Sequence, residues 1–232
     1  YFVGKYIGMA GTVAVSVGGP VMNVLFMAVA GMSMGVTIIL GSLVGTKDDV
    51  KIKKTANTAI TMFLCGAVFI TLMGMSASPL ILKIMYTPYE AYDMAVEYLR
   101  IIFAGMIFTL GYNLVCAIQR GFGDSKSSMY FVLAAAITNI VLDYIFISKF
   151  NMGVNGAALA TVISQALSFV LSVIYFRSKK HIVDFNPKDF CFDGAIASDI
   201  IKIGLPSAFQ QAAINIACIA LNGIVNSFGI FA

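Results

Sequence analysis

Charge is what this 232-residue chain has least of: only 11% of its residues are Asp, Glu, Lys or Arg. Histidine occurs once, as His181. The four cysteines, Cys65, Cys116, Cys191 and Cys218, have spacings that suit neither a zinc site nor a disulfide framework. Paired acids, a histidine cluster or an activated nucleophile are missing from the apolar stretches, which argues against an enzyme. No charged segment leads into an apolar run at the N-terminus, so no signal peptide is expected. There is no internal repeat and no low-complexity tract.

What is abundant is apolar. The hydrophobic fraction is 59%, against about 45–50% for a soluble domain, and the mean hydropathy is +0.91. Uncharged runs recur at 6–46, 55–82, 101–119, 128–147, 150–176 and 203–232, apart from Asp143 in the fourth. A run of about 18 or more such residues is long enough to cross a bilayer. The expected fold is therefore all-α and integral to a membrane, with six transmembrane helices in a polytopic bundle. Their expected spans are 10–43, 55–77, 99–118, 128–147, 156–176 and 200–228. Pro20 predicts a kink in the first span, and Gly31/Gly35 and Gly41/Gly45 have the spacing of close helix contacts. Glu90, Asp93 and Glu97, with nearby tyrosines, predict a short interfacial helix before the third span. Pro206 is expected in the first turns of the sixth.

The formal charge of +4 is explained by its distribution, so nucleic acid is not an expected partner. Eleven cations fall in alternate connections: Lys47, Lys51, Lys53, Lys54, Arg120, Lys126, Arg177, Lys179, Lys180, Lys188 and Lys202. The other four are Lys5, Lys83, Arg100 and Lys149. Such asymmetry places the richer side in the cytoplasm.

The fourth span holds the one intramembrane charge, Asp143, with Asn139 one turn before it on the same face. A carboxylate in hydrocarbon costs roughly 2.5–3.5 kcal/mol on insertion scales, which marks it as functional by default. A tight connection makes the fourth and fifth spans antiparallel neighbours. Counting from their outer ends at about 1.5 Å per residue matches Thr161 with Asp143 and Gln165 with Asn139. A carboxylate, two amides and a hydroxyl are hard oxygen donors, suited to a proton or to Na⁺. A polar network that merely holds helices together is the plainer alternative. Tyr112 and Asn113 in the third span are read as cavity lining, and Gln210, Gln211, Asn215 and Asn222 as helix glue or cavity lining.

The segments FVGKYIG, GMSMGVTIILGSLVGTKD, AIQRGFGDSKSSMYF, TNIVLDYIFI and MGVNGAALATVISQ, in this order, resemble the multidrug and toxic compound extrusion (MATE) transporters. The resemblance implies a twelve-helix, two-lobe transporter. Residues 1–178 would be helices two to six of the first lobe, 179–198 a cytoplasmic interlobe loop, and 199–232 the first helix of the second lobe. The apolar C-terminal run and the absence of an initiator Met agree with a piece of something longer. The implied activity is export of organic cations, drugs or amphipathic metabolites in exchange for H⁺ or Na⁺, by alternating access, at the cell membrane. Asn139, Asp143 and Thr161 would contribute to the first-lobe cation site, together with an acid on a helix preceding Tyr1. No cofactor is implied beyond the coupling ion. Implied partners are a small-molecule substrate, membrane lipid and the remaining helices. A lipid-linked oligosaccharide flippase of the same superfamily is the near alternative, disfavoured by the lack of Lys or Arg within the spans. A channel or scaffold is the more distant one.

Overall fold

The computed structural model describes residue 4 and residues 6–179 and 191–227. Lys5, Lys180, His181 and Lys188 lie outside the described residues, as do the side chains of Asn215, Cys218 and Asn222.

Seven α-helices account for nearly all of it. They are α1 (Met9–Thr46), α2 (Asp49–Ile84), α3 (Tyr89–Ala104), α4 (Met106–Gly121), α5 (Ser125–Asp143), α6 (Gly153–Ser178) and α7 (Gly194–Ser227). A π-helical turn, Tyr144–Lys149, continues α5. Four stretches are long and apolar enough to cross a membrane, and α3 with α4, bent by 42° at their break, are so when taken together. The sixth expected span falls on α7, where Pro206 stands twelve residues inside the helix rather than in its first turns.

Several boundaries depart from the sequence-based expectation, each for a local reason. The basic stretch after α1 is not a loop, since α2 already begins at Asp49. Lys47 takes a left-handed conformation (φ 56°) to turn the chain, and the Asp48 carboxylate then accepts the N–H of Lys51 at 3.1 Å as a helix cap. At the other end α2 runs on to Ile84, and Pro88 precedes α3 directly. The expected interfacial helix is therefore longer than expected, α3, and is followed directly by α4. The break sits at Gly105, where a Cβ would collide with the Val162 side chain of α6. Pro20 lies inside an unbroken α1. The last helix also begins earlier than expected, because α7 starts at Gly194 and not near residue 200.

Leu40, Ile52, Leu99, Met106, Ile118, Phe176 and Ile200 are fully buried where α1, α2, α3, α4, α6 and α7 converge. Large apolar side chains also face outward, Phe69, Leu72, Ile140 and Phe209 among them. An all-round apolar exterior of this kind is what a bundle surrounded by lipid presents.

Candidate cation site

The site is built on the hairpin of α5 and α6. Its connection closes through Asn151 (φ 51°) and Gly153 (φ 60°), both left-handed, a conformation that Asn and Gly enter most readily. The register of the two helices can be read at four points. A Cβ on Gly156 would lie 3.1 Å from Cβ of Phe146. Asn139 Nδ2 donates to Thr161 Oγ1 at 3.4 Å, Ser168 Oγ donates to the Phe131 carbonyl at 2.9 Å, and Ser127 Oγ donates to Tyr175 Oη at 2.6 Å.

This register corrects the depth count made from the sequence. Thr161 faces Asn139, one turn deeper than expected. The reason is geometric: α6 begins at Gly153, three residues earlier than expected, so Thr161 lies further from the outer end. Gln165 follows Thr161 by another turn and is half-buried. Among the described residues it makes no hydrogen bond to Asn139, Asp143 or Thr161.

Asp143 is the last residue of α5 before the helix widens into the π-helical turn, within which Phe150 N–H reaches back five residues to Ile145 O at 3.1 Å. Such turns are rare and concentrate at functional positions. Asp143 Oδ1 is buried and has no hydrogen-bond partner among the described residues. A buried carboxylate oxygen without a donor is expensive as a bare anion, and a proton or a cation relieves that cost. Asn139 spends its N–H on Thr161, which leaves its Oδ1 as a further acceptor on the face shared with Asp143. Carboxylate, amide and hydroxyl oxygens together suit H⁺ or a hard monovalent cation. No group of three His, Cys, Asp or Glu side chains that would hold a transition metal occurs among the described residues.

One contact between helices was not legible in the sequence. Tyr98, on α3, packs against α1, where a Cβ on Gly18 would approach its ring to 2.9 Å. Its position among several tyrosines near a membrane boundary made it look like an interfacial anchor. Tyr112 and Asn113 stand apart from this group. Tyr112 Oη donates to the Ser128 carbonyl at 3.4 Å, at the far end of α5, about 22 Å along the helix from Asp143. Asn113 Nδ2 donates to Thr109 O of its own helix at 2.8 Å. The apolar crevices between α1, α2, α3, α4 and α6, lined by Phe63, Ile70, Leu110 and Phe169 among others, contain none of the polar site residues.

The basic connections gather at the opposite end. Asp124 caps α5, accepting the Ser127 N–H at 3.2 Å and the Tyr175 hydroxyl at 2.9 Å. The Lys179 ammonium lies 5.4 Å from the centre of the Tyr175 ring. Burial works against ionisation of Asp124, but the bonds from Ser127 and Tyr175, with the Lys179 charge, outweigh it and hold the carboxyl below its ordinary range.

Residues 1–145 match the family described as MatE. Over 98% of its length the chain is 30% identical to the probable multidrug resistance protein YpnP of Bacillus subtilis, covering 51% of that protein. It is 28% identical to the multidrug export protein MepA of Staphylococcus saprophyticus, over its whole length and 51% of the relative. Among solved structures, the outward-facing conformation of a multidrug resistance MATE family transporter of the MOP superfamily superposes with a TM-score of 0.88 at 29% identity. That match covers 98% of this chain and 51% of the other, and the inward-facing conformation gives a TM-score of 0.86. The chain spans about half the length of the curated relatives it matches.

Proposed function

The chain belongs to the MatE family and is a multi-pass membrane protein, and on that premise we propose that it forms the first half of a cation-coupled exporter in the cell membrane. The complete protein exchanges H⁺ or Na⁺ for organic cations or amphipathic compounds by alternating access. It is a transporter, not an enzyme. Its curated relatives carry the names of multidrug resistance and export proteins. Asp143 carries the coupling ion, and Asn139 and Thr161 orient or ligate it. Gln165 lines the path deeper in the lobe. The basic ends of the helices face the cytoplasm.

The observation that carries this reading is the buried, unpartnered Oδ1 of Asp143 beside the Asn139–Thr161 contact. A group used only to hold helices together would spend its acceptors on donors of its neighbours. The test is Asp143→Asn in the full-length protein. The amide keeps the shape and most hydrogen-bonding capacity, yet it can neither release a proton nor neutralise Na⁺. In proteoliposomes with an imposed H⁺ or Na⁺ gradient, coupled efflux is abolished while thermal stability stays near wild type. Wild-type efflux from this variant would falsify the coupling role.

A further inference from the structure

The end of the interlobe linker is fastened to the first bundle. Three residues on one face of α2 hold it. The Thr61 hydroxyl, shared with the Asn57 carbonyl of its own helix at 3.0 Å, lies 3.4 Å from the Cys191 carbonyl, the Asp193 N–H donates to Thr58 Oγ1 at 3.3 Å, and Lys54 Nζ stands 2.6 Å from Asp193 Oδ2. Residues 54, 58 and 61 follow the four-and-three spacing that places side chains along one stripe of a helix. The same Asp193 carboxylate uses its other oxygen on α7, accepting the N–H groups of Ala195 at 2.8 Å and Ile196 at 3.2 Å. One side chain thus caps α7 and pins that cap to α2.

The turns of α7 that follow are held just as closely. Ala197 and Ile200 are buried in the bundle. A Cβ on Gly35 would come within 2.6 Å of the Ile200 carbonyl, and one on Gly204 within 2.9 Å of Cα of Met32. Backbones meet here without side chains between them, so α7 cannot slide along α1 without first lifting away from it.

We propose that the Lys54–Asp193 pair is a permanent latch that keeps the first turns of α7 on the first bundle throughout transport. The dividing line between the two moving halves then lies inside α7, beyond Ala208, whose backbone still meets Gly31 of α1, and not in the linker. The consequence for motion rests on the transporter reading above; the docking itself does not. An exposed ion pair alone would hold little. Here the ion pair also fixes the carboxylate that caps α7, and without Lys54 the cap is no longer tied to α2.

The experiment uses the full-length protein with Lys54 and Asp193 intact, every native cysteine except Cys191 replaced and Thr61→Cys introduced opposite it. A short, flexible, cleavable bis-thiol reagent then bridges the two cysteines in proteoliposomes. The expected bridging yield is the same under opposite cation gradients, and the bridged protein keeps at least half of its ethidium efflux. A yield that changes severalfold with the gradient, or efflux lost on bridging and regained on cleavage, overturns the proposal. Hydrogen exchange of the otherwise unmodified protein supplies a readout that needs no cysteines. Amides of residues 193–200 keep the same protection under both gradients, and Lys54→Ala speeds their exchange at least tenfold. Protection that collapses under one gradient, or that Lys54→Ala leaves unchanged, also overturns it. Yield and exchange report on the latch even if efflux itself is absent, so failure of the latch and failure of the transporter reading give different results.

Discussion

Asn139 and Thr161 join α5 to α6 through one hydrogen bond of 3.4 Å, a single turn inward from Asp143. The bond turns Asn139 so that its carbonyl oxygen is left for something else. Replacing Thr161 by Val keeps the side-chain shape and removes the acceptor. The expected stability loss is about 0.6–2 kcal/mol, the range of interhelical bonds in membranes. The apparent affinity for the coupling cation should fall severalfold in efflux assays, with maximal efflux well above that of Asp143→Asn. An unchanged cation dependence would take Thr161 out of the site.

Gly105 marks the break between α3 and α4, and Val162 of α6 fills the space that a side chain there would need. Gly105→Val should therefore overpack this contact and cost about 1–3 kcal/mol. Thermal unfolding of the full-length protein in detergent should show the loss, and Val162→Ala in the same protein should restore most of it. Destabilisation without rescue would mean that the break is held by something other than this contact.

These two contacts differ in how far the sequence announces them. Asn139, Asp143 and Thr161 stand out because polar residues are scarce in apolar runs and because a tight hairpin fixes which two helices pair. The depth match was off by one turn, since nothing in the sequence reveals where α6 starts within NMGVNG or that α5 widens after Asp143. The Gly105 break is harder still. Glycine is common in such helices, and the residue that makes this one matter lies on a different helix, 57 positions later. The contact between Lys54 and Asp193 is longer-ranged again, and charges in basic loops read as solvated by default. The all-helical, membrane-spanning class survives these errors because hydrophobic length depends on many residues at once.

The charge bias makes a direct topological prediction. Cys191 is exposed at the end that gathers the basic connections. A membrane-impermeant maleimide should leave it unlabelled in intact cells and label it once the membrane is opened. Cells should carry the full-length protein with its other cysteines replaced. Strong labelling from outside would invert the orientation.

Asp124 predicts a pH effect whose sign follows from its partners. Its carboxyl is held below the ordinary range, so its stabilising contribution is complete above about pH 3.9, the value of the unfolded chain. That contribution is lost as pH falls through the lower folded value. The melting temperature of wild type should therefore drop more steeply on acidification below pH 4 than that of Asp124→Asn, which lacks the titrating group. Parallel curves would show that the cap does not titrate with folding.

The π-helical turn after Asp143 sets the hairpin's phase. With N–H groups reaching back five residues instead of four, Tyr144–Lys149 accommodates one residue more than an ordinary turn. One residue corresponds to about 100° of rotation and 1.5 Å of rise. The face that presents Asn139 and Asp143 and the face that presents Phe146 to Gly156 are thus set independently, separated by a one-residue offset. Removing a single residue from this turn would bring both back into one phase, and either the acid or the hairpin contact would have to swing away from its present neighbour.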